Sequence, residues 1–187
     1  MISFKKYLEE ALSLDNVNKT PGKNKVVVMM GRFQPPTIAH LDIIEKAYKK
    51  YKLPVIIAIV KSKNKNSPFS VDIIKKMIKE SIKGKIEFLE LSSGFIGDFI
   101  SPLRDKNLEP TILFAGSDRI KSYENQIERY KELFDLNLTV EEIKRNDDDV
   151  SASKVRDALK NNDEESFKKL MSKNLHKYFK KLKGMMV

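Results

Sequence analysis

Thr37 and His40 stand three residues apart, directly after the run Gly31-Arg32-Phe33-Gln34-Pro35-Pro36. At a helix start that spacing turns both side chains toward one place, where unpaired backbone N–H groups and the helix dipole favour an anion. His40 would donate a hydrogen bond to a phosphoryl oxygen that gains charge during transfer. The plain alternative is a histidine that only caps or packs. Gly31 leaves room for a ligand against the backbone, and the two prolines stiffen the turn. A second segment lies far along the chain, Val150-Ser151-Ala152-Ser153-Lys154-Val155-Arg156. Ser151 suits an N-cap, while Ser153, Lys154 and Arg156 offer hydroxyl and cationic donors to a further anion. Read alone, ordinary capping accounts for it.

The elements that must position these groups follow from hydrophobic patterning. Val26-Val27-Val28-Met29-Met30 is a continuous apolar run, as in a strand buried on both faces, and it ends in the Gly31 loop. Helical periodicity runs from Ile38 to Tyr51, a strand from Pro54 to Val60, a helix from Val71 to Ile82 and a strand from Ile86 to Leu91. A short helix is expected over Ile96–Leu103 and a fourth strand over Thr111–Ala115, which breaks at Gly116-Ser117-Asp118-Arg119. Helical residues then reach Phe134, Leu136–Ile143 forms a fifth strand, and Val150–Leu159 and Glu164–Lys183 read as helices. This alternation predicts an α/β fold: a Rossmann-like, doubly wound, five-stranded parallel sheet with helices on both faces and a carboxyl-terminal helical extension. With strand order 3-2-1-4-5, the ligand crevice opens between strands one and four. Their ends carry the least ordinary loops, at Gly31 and at Gly116.

Three parts are expected: an amino-terminal helical appendage and linker over residues 1–24, the main domain over 25–160, and the extension over 161–187 packed on it. Bulk properties narrow the classes. The 187 residues include 36 Lys and Arg against 26 Asp and Glu, a formal net charge of +10. Such a balance suits nucleic acid, a membrane surface or an anionic small molecule. The lysines are spread along helices, as on a solvated surface, with a concentration after Lys168. No apolar run approaches the roughly 20 residues of a membrane span, so no membrane partner is expected. With 0 cysteines there is neither a disulfide framework nor a thiolate metal site, which suits the cytoplasm.

Together, Thr37-Ile38-Ala39-His40 and Val150-Ser151-Ala152-Ser153-Lys154-Val155-Arg156 resemble the two signatures of the nucleotidylyltransferase superfamily, [HT]-x-G-H and I-S-S-T-x-x-R. Ala39 and Ala152 depart from the commoner Gly and Ser. Gly-Arg-Phe-Gln-Pro and Asn66-Ser67-Pro68-Phe69-Ser70 are similar to archaeal-type nicotinamide mononucleotide (NMN) adenylyltransferases. Pro-Pro-Thr-Ile-Ala-His, Ala-Gly-Ser-Asp-Arg and Ser-Ala-Ser-Lys-Val-Arg look closest to cytidylyltransferase-like proteins of tailed bacteriophages.

The resemblance implies transfer of a nucleoside monophosphate from a triphosphate to a phosphate-bearing acceptor, with release of pyrophosphate. ATP with NMN leads, and CTP with a sugar- or alcohol-phosphate is the alternative. A nucleotide-binding or virion-associated protein with weak turnover is a third reading. Thr37 and His40 would hold the α-phosphate, and Ser151, Ser153, Lys154 and Arg156 the β- and γ-phosphates. Gly31, Arg32, Phe33 and Gln34 would lie along the nucleotide or acceptor, and Gly116, Asp118 and Arg119 at its ribose or base. Mg²⁺ would come with the triphosphate, held by phosphates and water rather than by protein ligands, with Asp147-Asp148-Asp149 most simply a solvated loop. Nucleotides are the expected partners, with a homo-oligomer open and nucleic acid not expected, although the Lys-rich stretch Phe167–Lys183 would be its docking helix. Leu8-Glu9-Glu10 before Ala11 resembles capsid-targeting leaders cut by prohead proteases, against the plainer docking helix. On that reading the protein works in the host cytoplasm and part of it travels in the virion.

Overall fold

The computed structural model describes residues 19–62, 66–143 and 150–186, with Asp118 and Ile143 described by their backbone alone. The appendage before Lys19 and the Asp147–Asp149 run lie outside the described residues. Five strands, β1 (Asn24–Gly31), β2 (Val55–Val60), β3 (Ile86–Leu91), β4 (Leu108–Gly116) and β5 (Thr139–Ile143), form one parallel sheet in the order β3-β2-β1-β4-β5. The helices between them are α1 (Ile38–Tyr51), α2 (Val71–Ser81), α3 (Gly97–Arg104) and α4 (Ser117–Phe134), followed by α5 (Ala152–Lys160) after β5. This is the doubly wound arrangement expected from the alternating pattern.

The period-two geometry of β1 divides the core. Val27 and Met29 face α1, α2, α5 and the carboxyl-terminal segments. Val26, Val28 and Met30 face α3 and α4. Because both faces are covered, β1 and β2 read as unbroken apolar runs. Each fully buried Val or Ile there contributes about 1.5–3 kcal/mol.

Boundaries differ from the sequence reading by more than two residues at three places, each with a cause. β4 starts at Leu108 and runs through Pro110. The register steps from Val26↔Pro110 to Val27↔Ile112, so Thr111 is the extra residue of a bulge. A bulge is how a strand accommodates a residue without an N–H. β5 begins at Thr139 rather than Leu136, because Asp135 ends α4 in the left-handed region (φ 47°) and Leu136 and Leu138 pack into the core as connecting chain.

The third difference is a correction. Glu164–Lys183 is not one helix but α6 (Glu164–Leu170), a 3₁₀ segment (Lys173–Tyr178) and α7 (Phe179–Lys183). His176 Nε2 lies 3.0 Å from the Lys168 carbonyl and 3.1 Å from that of Met171, closing the end of α6 and turning the chain. Phe167, Leu175, Tyr178, Phe179 and Leu182 are all buried. A straight Lys-faced docking helix over Phe167–Lys183 is therefore absent. The folded-back segments clasp α2 instead: Asn174 Nδ2 donates to the Glu80 carbonyl at 2.8 Å, Tyr178 Oη to Glu80 Oε1 at 3.0 Å, and Lys177 pairs with Glu80 at 2.8 Å.

At the amino-terminal ends of the strands, Arg104 and Glu109 form a buried two-bond pair at 2.9 and 2.8 Å. Arg104 also donates to the carbonyls of Lys19, Phe134 and Asp135, and Gly22 N–H donates to Glu109. A Cβ on Gly22 would sit 2.5 Å from the Leu108 backbone, so only glycine allows the entering chain this close. Among the described residues no helix is long and apolar enough to cross a membrane.

Candidate nucleotide site

β1 and β4 lie side by side, with Met29 opposite Phe114, and each ends two residues later, at Gly31 and Gly116. The loops leaving these ends therefore flank one crevice, at the reversal of strand order. α1 enters from β1 with Thr37 as N-cap in extended conformation, and His40 occupies the third helical position. There His40 takes the place that a glutamate or glutamine commonly fills, accepting the N-cap N–H. Thr37 N–H donates to His40 Nδ1 at 3.1 Å, and Thr37 Oγ1 lies 2.8 Å from the same nitrogen. An Nδ1 that accepts must leave the proton of a neutral imidazole on Nε2. Thr37 is fully buried, so its hydroxyl in this structure sets the His40 ring.

The loop before α1 is folded by Phe33, whose backbone is left-handed (φ 50°) although it carries a side chain. Such a conformation costs about 1–3 kcal/mol and persists where the surroundings enforce it. It brings the Phe33 ring back over Gly31, where a Cβ would meet the ring at 3.3 Å. The same ring stands edge-on to His40, with centroids 5.3 Å apart and planes at 66°. Gly31 is thus needed first for this ring, a reason the sequence reading did not contain.

Arg156 joins the two distant signatures. Its Nη1 donates to the Gln34 carbonyl at 2.7 Å across 122 residues of sequence, and its Nη2 to Ser153 Oγ at 3.1 Å. Ser151 caps α5, accepting from Lys154 N–H at 3.2 Å. Burial and the neighbouring Arg32 hold the Arg156 guanidinium below its ordinary value, with Asp157 opposing them. Two like cations brought together, one of them partly desolvated, make a place that gains from a bound anion.

The remaining residues fall into three groups. The exposed Arg32 stands at the cationic end, near Arg156. Gly116, the extended N-cap of α4, together with Asp118 and Arg119 in its first turn, reaches the crevice through the β1–β4 pairing. Lys154 is exposed and lines a groove of about 360 Å³ with Asp157, Asn161 and Lys169, between α5 and α6. Gln34 commits its side-chain amide to two hydrogen bonds with the Phe69 backbone and offers its carbonyl to Arg156. The segment Ser67–Ser70 after β2 therefore belongs to the site's support. Within it, the buried Ser67 hydroxyl has no hydrogen-bond partner among the described residues. No periodicity signalled the Gln34–Phe69 pairing, which is made by one side chain against irregular backbone.

Comparison with known proteins gives the family. A family model described as Cytidylyltransferase-like matches residues 28–158, a span that contains both signature segments. The phosphopantetheine adenylyltransferase of Natranaerobius thermophilus is 33% identical over 104 residues, covering 56% of this chain and 61% of that protein. That of Geotalea daltonii is 32% identical over 104 residues, covering 56% and 62%. The chain thus spans about three-fifths of the length of the curated relatives it matches. Among solved structures, Plasmodium falciparum nicotinic acid mononucleotide adenylyltransferase complexed with NaAD is similar, with a TM-score of 0.62 at 19% identity over 84% of this chain and 95% of that one. Thermotoga maritima TmcAL bound with alpha-thio ATP gives a TM-score of 0.59 at 12% identity, over 84% of this chain and 55% of that one. These two likenesses show the shared fold. With its sheet order, its two signature segments joined through Arg156 and the family match over both, the chain belongs to the cytidylyltransferase-like family.

Proposed function

We propose that this chain is a nucleotidyltransferase that moves AMP from ATP to a phosphomonoester acceptor and releases pyrophosphate. The observation that carries the reading is the Arg156–Gln34 hydrogen bond, which brings the cationic donors of α5 to the loop that presents His40. The adenylyltransferase names of the relatives support ATP over CTP as donor. NMN is the first acceptor to test and 4′-phosphopantetheine, favoured by the same relatives, the second.

An oxygen of the acceptor phosphate attacks the α-phosphorus in line. The new P–O bond forms as the bond to the bridging oxygen breaks, and that oxygen keeps the electron pair and leaves with pyrophosphate. A phosphate nucleophile is already anionic at neutral pH, so positioning and charge stabilisation carry the catalysis without a general base. His40 donates from Nε2 to the α-phosphoryl oxygens, and Thr37 holds the ring for it. Arg156, Ser153 and Ser151 receive the β- and γ-phosphates, where the forked guanidinium contributes most. Arg32 adds positive charge, the backbone of Gly31–Phe33 runs along the nucleotide, and Gly116, Asp118 and Arg119 take its ribose or base.

Among the described residues no group of three or more His, Cys, Asp or Glu side chains could hold a metal ion. The phosphate-facing donors are cationic or neutral and are not metal ligands, so magnesium would be held by triphosphate oxygens and water, where it would offset their charge. The phage-like segments favour a setting in the cytoplasm of an infected host, with packaging in the virion as a further step that amino-terminal sequencing of virion protein would test.

Pyrophosphate release decides the reading, measured for ATP and CTP crossed with NMN, 4′-phosphopantetheine and simple sugar and alcohol phosphates. Turnover with ATP and one phosphomonoester is expected. Nucleotide binding without pyrophosphate release for every pair would make the chain a binding module instead.

A further inference from the structure

Gln34 is 7% exposed, and both ends of its side-chain amide are matched to one residue. Its Nε2 donates to the Phe69 carbonyl at 2.9 Å, and Phe69 N–H donates to its Oε1 at 2.9 Å. The amide thus reads the Phe69 backbone as a neighbouring strand would. At the same time the Gln34 carbonyl accepts from Arg156 Nη1 at 2.7 Å. One residue therefore fastens three parts of the chain: the loop before α1, the segment before α2, and α5. A buried amide with donor and acceptor both satisfied has a single favourable orientation, and loosening it leaves buried polar groups unmatched.

The anchor on the far side is firm. Phe69 is buried and precedes Ser70, the N-cap of α2, whose Oγ accepts from Ile73 N–H. The other end of α2 is clasped by Asn174, Tyr178 and Lys177. We infer that Gln34 is a positioning residue, which transmits the place of the β2–α2 segment to the Arg156 guanidinium rather than touching substrate. What Arg156 is positioned for rests on the nucleotidyl-transfer reading; the linkage itself belongs to the ligand-free chain.

Because Gln34 acts through Arg156, its effect vanishes when Arg156 no longer reaches the carbonyl. The experiment is a double-mutant cycle of Gln34→Met and Arg156→Lys in the full chain, read as affinity for a non-hydrolysable ATP analogue by calorimetry. Gln34→Met alone should weaken binding about tenfold, the scale of one buried polar group left unmatched. In the Arg156→Lys background it should add less than about twofold, because an ammonium lacks the fork that spans Gln34 O and Ser153 Oγ. Independent, additive losses overturn the inference, as does wild-type affinity in a folded Gln34→Met. Should that variant fail to fold, Gln34→Glu serves, keeping the acceptor for Phe69 N–H and setting a carboxyl oxygen against the Phe69 carbonyl in place of the donor.

The same linkage is read without ligand. The Arg156 Nε–H resonance should shift in Gln34→Met and Gln34→Glu, and an unmoved resonance rejects the inference whatever the protein binds. Wild-type protein that binds no ATP analogue while this resonance moves would reject the functional reading and leave the linkage standing.

Discussion

Replacing His40 by alanine separates a structural effect from the proposed catalytic one. Nδ1 secures the start of α1 by accepting from Thr37 N–H at 3.1 Å, and in the proposed reaction Nε2 donates to substrate. Losing the first resembles losing a helix cap, about 1 kcal/mol, which for a domain of this size lowers Tm by about 2–4 °C. Losing the second removes one preorganised donor to a developing oxyanion, about 2.7–4 kcal/mol or 10²–10³ in kcat. The catalytic loss should therefore far exceed the stability loss. The assay is pyrophosphate release at saturating ATP and acceptor, beside a thermal melt of the same preparation. Thr37→Val sharpens it. That variant keeps the shape and the N–H but removes the hydroxyl 2.8 Å from Nδ1, so turnover should fall only about tenfold, the scale of one neutral hydrogen bond. Near-normal turnover in His40→Ala would refute the assignment. A deeper loss in Thr37→Val than in His40→Ala would show the reverse division of labour, with Thr37 holding the phosphate and His40 merely supporting it.

Other expectations follow from single contacts. Arg156→Lys keeps a charge but loses the two-way reach to Gln34 O and Ser153 Oγ; KM for ATP should rise about tenfold or more, with the melting temperature little changed. Gly31→Ala places a methyl 3.3 Å from the Phe33 ring, and the displaced ring disturbs His40; turnover should fall about tenfold in a protein that stays folded by circular dichroism. Arg104→Met strands Glu109 without its buried partner and should cost about 3–5 kcal/mol in urea unfolding. The hydrogen bond from Lys177, with a further one from Tyr178, holds the Glu80 carboxyl below its ordinary value. Its contribution to stability is therefore full above the unfolded carboxylate pKa and fades as pH falls through the lower folded value. Glu80→Gln should flatten the acid side of the stability profile, whereas an unchanged profile would remove Glu80 from the clasp's account.

The fold was legible wherever burial on both faces left no ambiguity. β1 and β2 are unbroken apolar runs because α1 and α2 cover one side and α3 and α4 the other, and short connections left few other ways to wind the chain. Legibility failed where a local rule was overridden from outside. The fourth strand was expected only from Thr111, yet β4 starts at Leu108 and passes through Pro110 by bulging at Thr111. Glu164–Lys183 read as helical throughout, but its apolar residues are needed on several sides, and His176 closes the end of α6. In the site, the residue types of Thr37, His40 and Arg156 pointed to anion chemistry because helix starts impose it. The reach of Arg156 to a carbonyl 122 residues away, the left-handed Phe33 and the Gln34–Phe69 pairing depend on tertiary placement, which no spacing encodes.

A crystal structure of the full chain with a non-hydrolysable ATP analogue and magnesium bears most directly on whether one triphosphate is gripped from both sides. The α-phosphate should lie within hydrogen-bond reach of His40 Nε2, with the terminal phosphates against Arg156 and Ser153. A nucleotide seated elsewhere, such as the groove of Lys154 and Lys169 between α5 and α6, with His40 untouched, would contradict the account.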